Sequence, residues 1–204
     1  MNTIHLRSKK VDIYQGNGFE TFSYRDYTVK IVEDPDNDPR KNFDNLGSLS
    51  LFYKKMNLAN EEKLLLKKCQ DIEKNTVDYI CLPVYMYDHS AFMLQTFPWN
   101  DKFDSGKVGI IYAKREKVIR EFGFNYLPEQ IDLILKSELK TYSDYLNGYV
   151  YGYQISKNNE ILDSCYGFYG CDHVDSDLVN SAICQINFLA DQELEETKFY
   201  NSLV

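Results

Sequence analysis

The stretch from Ile80 to Tyr112, ICLPVYMYDHSAFMLQTFPWNDKFDSGKVGIIY, constrains the fold more than any other part of the chain. Apolar and aromatic residues run on both sides of the polar turn Asp88-His89-Ser90. A third run, Val108 to Tyr112, follows a loop that carries the only tryptophan, Trp99. Aromatic and β-branched runs broken by turn residues predict strands, and the short turn predicts a hairpin. The centre of the chain is therefore sheet, and its apolar faces need helices to cover them.

Candidate elements lie on either side. Residues 1–27 are polar with interspersed aromatics, an N-terminal extension or short strands around Val11–Tyr14 and Phe19–Tyr24 that turn at Gly16-Asn17-Gly18. Thr28 to Val32 reads as a strand, stopped by Asp34-Pro35-Asp36-Asn37-Asp38-Pro39, where two prolines oppose both helix and ladder. Ser48 to Tyr53 alternates as a strand, and Asn60 starts a helix to about Asn75 with Leu65, Cys69 and Ile72 on one stripe. Lys114 to Phe122 reads as a short basic helix ended by Gly123. Pro128 opens a longer helix with Ile131, Ile134, Leu135, Leu139, Tyr142 and Leu146 at helical spacing, ended by Asn147-Gly148. Tyr149–Ser156 and Ile161–Phe168 form a hairpin, and a last helix begins at Asp175 or Ser176. This order predicts an α+β fold: one domain over residues 1–204, with a mixed or largely antiparallel sheet covered by three to four helices.

At 204 residues a core forms without disulfides or metal. The net charge of −8 repels nucleic acid and anionic membranes at long range, which disfavours a general nucleic-acid binder. Local basic density points the other way at Lys107, Lys114, Arg115, Lys117 and Arg120, which together with Trp99 are the candidate contacts for RNA or a partner. Seventeen tyrosines, apolar in the ring and polar at the tip, suit contact surfaces. The five cysteines are scattered without metal-binding spacing and predict reduced thiols. The amino terminus has no signal-peptide core and no apolar run is long enough to span a membrane, so a cytoplasmic protein without cofactor is expected.

Enzymatic readings centre on a few residues. Asp88, His89 and Ser90 are adjacent, and adjacent side chains diverge, so a hairpin turn is favoured over a catalytic triad. A composite site would need His89 to meet Asp101 or Asp104 and Asp172 or His173. From this comes the alternative of a small metal-dependent hydrolase or nuclease using Asp88, His89, Asp104 and His173. Asp34, Asp36 and Asp38 begin like a calcium loop, but Pro39 replaces the turn glycine and Asn45 the bidentate glutamate. Asp104-Ser105-Gly106-Lys107 precedes a strand and lacks the backbone nest of a phosphate loop. Cys165, Cys171 and His173 with Asp163 or Asp172 match no zinc spacing, so no metal is expected.

Five segments taken together, FDNLGSL (43–49), LPVYMYDHS (82–90), DSGKVGIIY (104–112), SELKTYSDYLNGYVYGY (137–153) and DSCYGFYG (163–170), resemble a family of small bacteriophage-encoded proteins. That family shares a D-N-L-G segment, an LPLYLYDHS-like hairpin, a DSGQVGFIY-like strand and a DSCWGFYG-like ending in this order. Phe43, Lys107 and Tyr166 stand where the family pattern has tryptophan, glutamine and tryptophan, changes that keep strand or core character. The resemblance assigns no catalytic residue. It implies an accessory role against host immunity: an anti-CRISPR that binds a type III effector complex, with host RNA as a further partner.

Overall fold

The computed structural model describes residues 2–6, 9–16, 19–52, 59–88, 92–100 and 105–203, with the backbone alone at 2–6, 9–16, 19, 59–63 and 88. The elements run β1 (Asn2–Leu6), β2 (Lys9–Gly16), β3 (Phe19–Tyr24), β4 (Tyr27–Glu33), α1 (Pro39–Asn42), β5 (Ser48–Leu51) and α2 (Ala59–Lys74). There follow β6 (Tyr79–Asp88), β7 (Phe92–Gln95), β8 (Ser105–Lys114), α3 (Arg115–Phe122) and α4 (Pro128–Leu146). The chain ends with β9 (Val150–Lys157), β10 (Glu160–Tyr169) and α5 (Leu178–Ser202). The class is α+β as expected, and every ladder is antiparallel. The strands fall into two sheets where the sequence reading had placed one. The chain likewise divides into two compact units, Met1–Asn37 with Gly148–Val204, and Asp38–Asn147.

The first unit holds the sheet β1-β2-β3-β4-β9-β10. Its central join sets Val29 opposite Ile155 and Ile31 opposite Tyr153. These side chains, with Phe22 and Tyr27, form a core against Leu178, Val179, Ala182 and Ile186 of α5. Positions 178, 182 and 186 recur every fourth residue, the spacing that keeps one helix face on a sheet. Beyond Ala190 the same helix carries the acidic run Asp191–Glu196 and lies exposed. A turn held by the Asp172 carboxylate, which accepts the N–H groups of Val174 and Asp175, leads into α5 at Leu178, just after the expected start at Asp175 or Ser176.

The second unit holds the sheet β5-β8-β6-β7 between helices. Cys69 and Ile72 of α2 pack on Ile110, while Ile131, Leu135 and Leu139 of α4 and Val118 of α3 pack with Val84, Ile111 and Ala113. Ile110 and Ile111 are both fully buried, on opposite faces of β8. A strand covered on both sides reads as a continuous apolar run, which is why Val108 to Ala113 shows no alternation.

Pro83 sits inside β6, where a missing N–H normally breaks a ladder. The bond from Arg115 N–H to Asp78 O fixes which residues of β6 bond to β8, namely 78, 80, 82 and 84. Pro83 therefore turns its nitrogen the other way, towards β7, and β7 begins its pairing only at Tyr85. The proline occupies the one kind of position that tolerates it.

The hairpin expected at Asp88-His89-Ser90 is present as β6 and β7, with Asp88 opposite Phe92. His89 and Ser90 at its tip lie outside the described residues. Among the described residues no helix is long and apolar enough to cross a membrane.

Candidate functional site

The second unit carries an open cleft of about 590 Å3, lined by Arg40, Phe43, Asp44, Asn45, Gly47, Ser48, Leu49, Leu51 and Tyr142. It gathers the Asp-Asn-Leu-Gly segment and the strand that follows it. The geometry there rests on two charged residues far apart in sequence, Arg40 at the start of α1 and Glu138 in α4, whose side chains meet at 3.0 Å and are largely buried. Glu138 also accepts the N–H of Leu46 at 2.7 Å and of Gly47 at 3.1 Å. Arg40 donates to Asn45 Oδ1 at 3.0 Å and to the carbonyl of Gly47. Asn45 in turn donates from Nδ2 to the carbonyls of Pro39 and Phe43. A buried ion pair whose remaining donors and acceptors are satisfied in this way holds a backbone turn in one conformation.

Gly47 allows that turn to close on α4. A Cβ there would stand 2.5 Å from Leu135 Cδ2 and 3.0 Å from Glu138 Oε2, so a side chain would force Leu135, Glu138 or the turn to move.

One rim of the cleft is the outer edge of β5. The bond from Phe52 N–H to Val108 O sets the ladder so that Ser48, Ser50 and Phe52 turn their backbone groups towards β8. Leu49 and Leu51 then direct N–H and C=O away from the sheet. The opposite edge of this sheet, β7, is closed. Ser143 Oγ accepts from Leu94 N–H at 3.2 Å and donates to Phe92 O at 3.0 Å. Asn147 accepts from Phe92 N–H at 2.8 Å and donates from Nδ2 to Phe92 O.

The basic residues singled out from sequence are mostly engaged within the same unit. Lys107 pairs with Glu73. Arg115 donates to Thr76 O at 3.1 Å and to the Tyr126 hydroxyl. Lys117 donates to Asn45 O at 2.6 Å and meets Asp44 at 3.2 Å. Lys114 is exposed, and Arg120 is exposed with Glu121 at 3.8 Å. Trp99 stacks at a tilt on Tyr87, ring centroids 5.4 Å apart, and its buried Nε1 has no partner among the described residues.

Of the residues named for hydrolysis, His89 and Asp104, with Asp101, lie outside the described residues, as does the side chain of Asp88. His173 belongs to the first unit. Its Nε2 lies 2.8 Å from Glu20 Oε2, and its ring meets Tyr151 edge-on at 4.8 Å. Among the described residues no group of three or more His, Cys, Asp or Glu side chains is placed to hold a metal ion. Cys165 and Cys171 are exposed thiols. Asp34, first residue of the calcium-like run, accepts from Asn37 Nδ2 at 3.0 Å and from Gly167 N–H at 3.1 Å, while the Tyr169 hydroxyl donates to Asn37 O at 2.7 Å. The acidic turn thereby fastens the Gly-Phe-Tyr-Gly ending, with Gly167 in the left-handed region at φ +86°.

Arg40, Glu138 and Ser143 were not singled out from the sequence, and Asn147 only as the end of α4. Ser143 and Asn147 continue the buried stripe Ile131, Leu135, Leu139 at the same four-residue step, and that continuation in polar residues was the available signal. No protein-family model, curated protein or solved structure matches this chain.

Proposed function

We propose that this is a phage-encoded anti-defence protein, an anti-CRISPR that inhibits a host type III effector complex by binding it. The assignment to phage and to that target rests on the five motif segments in their shared order. The structural observation that carries the mode of action is the use made of the motif residues. Asn45 and Gly47 are held by Arg40 and Glu138, and Gly167 and Tyr169 are tied to the Asp34–Asn37 turn. Side chains engaged in this way shape loops and surfaces and do not attack a substrate.

Recognition of protein is favoured over recognition of RNA. Lys107, Arg115 and Lys117 each bond to groups of their own unit, so the basic stretch offers Lys114 and Arg120 outward, against a net charge of −8. An acidic protein of this kind competes for a surface that normally faces nucleic acid. RNA enters this reading as a helper in docking, through Lys114, Arg120 and Trp99.

The test is plasmid interference in cells carrying a type III system. Expression of the chain is expected to restore transformation by a targeted plasmid, and affinity purification of the tagged chain is expected to retrieve effector subunits. Unchanged interference together with no retrieved subunit would refute the assignment.

A further inference from the structure

The two edges of the second unit's sheet are treated differently. At β7 Ser143 of α4 and Asn147 at its C-cap take the N–H and C=O of Phe92 and the N–H of Leu94, which blunts the edge as a template for another strand. At β5 the outward groups of Leu49 and Leu51 have no partner among the described residues. The sequence there, Ser-Leu-Ser-Leu, contains no lysine, proline or other blunting residue. In the first unit, β10 is a longer edge strand, but Asp163 takes the N–H of Ser164 and Asp34 that of Gly167. Among the described residues the outward groups of Leu49 and Leu51 on β5 are thus open, where outward groups on the edges of β7 and β10 are taken at several positions.

The open edge also has a built surface beside it. The cleft of about 590 Å3 runs along Leu49 and Leu51 and is bounded by Phe43, 47 % exposed, and by Tyr142. The Asp44 carboxylate at its rim is 95 % exposed, with Lys117 3.2 Å from Oδ1. Glu138 of α4 and Arg40 of α1 hold the turn just before β5, so the strand is fixed before any partner arrives.

We propose that the outer edge of β5 is a strand-addition site that takes an extended peptide segment of a partner protein. Main-chain groups of the peptide pair with the N–H and C=O of Leu49 and Leu51, as an added strand does at any open edge. Because side chains alternate along a strand, every second residue of the peptide faces the cleft. The lining selects an apolar or aromatic residue there, between Phe43 and Tyr142, and a lysine or arginine within reach of Asp44. The inference needs a peptide partner but not the CRISPR assignment: the interference assay can fail while the edge still binds peptide, and the reverse.

The experiment has two parts. Amide hydrogen exchange followed by NMR on the free chain is expected to show fast exchange at Leu49 and Leu51 and slow exchange at Ser50 and Phe52. A displayed library of random linear peptides is then selected against the whole chain. Enriched peptides are expected to carry an apolar residue in alternation and a basic one, and to slow exchange at Leu49 and Leu51. N-methylation along the best peptide is expected to weaken binding about tenfold or more at every second position and little between. The variant Leu51→Pro removes one outward N–H without touching a bond to β8, and is expected to lose binding about tenfold, whereas Leu51→Ala retains that donor. Protection of Leu49 and Leu51 in the free chain, failure to enrich any peptide, or N-methyl effects without a two-residue period would each overturn the proposal.

Discussion

Glu138 reaches across from α4 to Arg40 at 3.0 Å and, with the same carboxylate, accepts the N–H of Gly47 at 3.1 Å. One side chain thus anchors the entrance to β5 through both a buried charge and the backbone. Breaking such a pair leaves the partner charge and the two amides without their acceptor. Glu138→Ala is expected to destabilise the fold by about 3 kcal/mol or more, measured by urea unfolding. Glu138→Gln keeps one acceptor oxygen and should lose less. A loss below about 1 kcal/mol for the alanine variant would mean that water replaces the carboxylate at no great cost.

Gly47→Ala tests the close approach at the same turn. The added methyl would meet Leu135 and Glu138 at distances that force one of them to move. A cost of about 1 to 3 kcal/mol is expected, as for other overpacked sites. The melting temperature reads it directly.

Removing the closure of β7 should have two consequences. Ser143→Ala combined with Asn147→Ala leaves backbone groups of Phe92 and Leu94 without these partners, at a cost of about 1 to 3 kcal/mol for the buried Leu94 N–H and less at the exposed Phe92. It also creates a free edge, so the double variant is expected to self-associate as its concentration rises. Sedimentation of variant and parent side by side checks this, and a variant that stays as the parent does would show that the edge is guarded by something else.

The thiols divide by burial. Burial pushes the Cys81 thiol up to about 11, with the Glu73 carboxylate adding to the rise, and burial also raises Cys69. A raised thiol value means less thiolate at a given pH, so at pH 8 about one Cys81 in a thousand is ionised. Iodoacetamide at that pH is expected to label the exposed Cys165, Cys171 and Cys184 first and leave Cys69 and Cys81 unmodified until the chain unfolds. Peptide mass spectrometry follows the order of labelling, and modification of Cys81 as early as the exposed thiols would contradict its partial burial.

Much of the local structure was legible because it depends on spacing within one segment. Pro128 at the start and Ile131, Leu135 and Leu139 at a four-residue step mark α4 with the bounds it has. What was not legible depends on pairing between distant segments. The ladder between β4 and β9 joins residues 28–33 to 151–156, and no periodicity names a strand's partner at that separation, so two sheets read as one. The Arg40–Glu138 bond spans 98 positions and was invisible for the same reason. The partners of the basic run at 107–120 were hidden in the same way: its members are close in sequence, yet Lys107, Arg115 and Lys117 each bond to a residue from a different neighbouring segment. Among the polar motifs, the run beginning at Asp34 was read as a turn that stops a strand, and the hydrogen bonds of Asp34 have that character.

The central claim, inhibition by binding, is measured most directly by gel filtration of the purified chain with a purified type III effector complex, before and after ribonuclease treatment. The account predicts that the chain elutes with the complex, still does so after ribonuclease, and lowers target cleavage in proportion to the amount bound. A chain that elutes alone at every ratio, with cleavage unaffected, would contradict it.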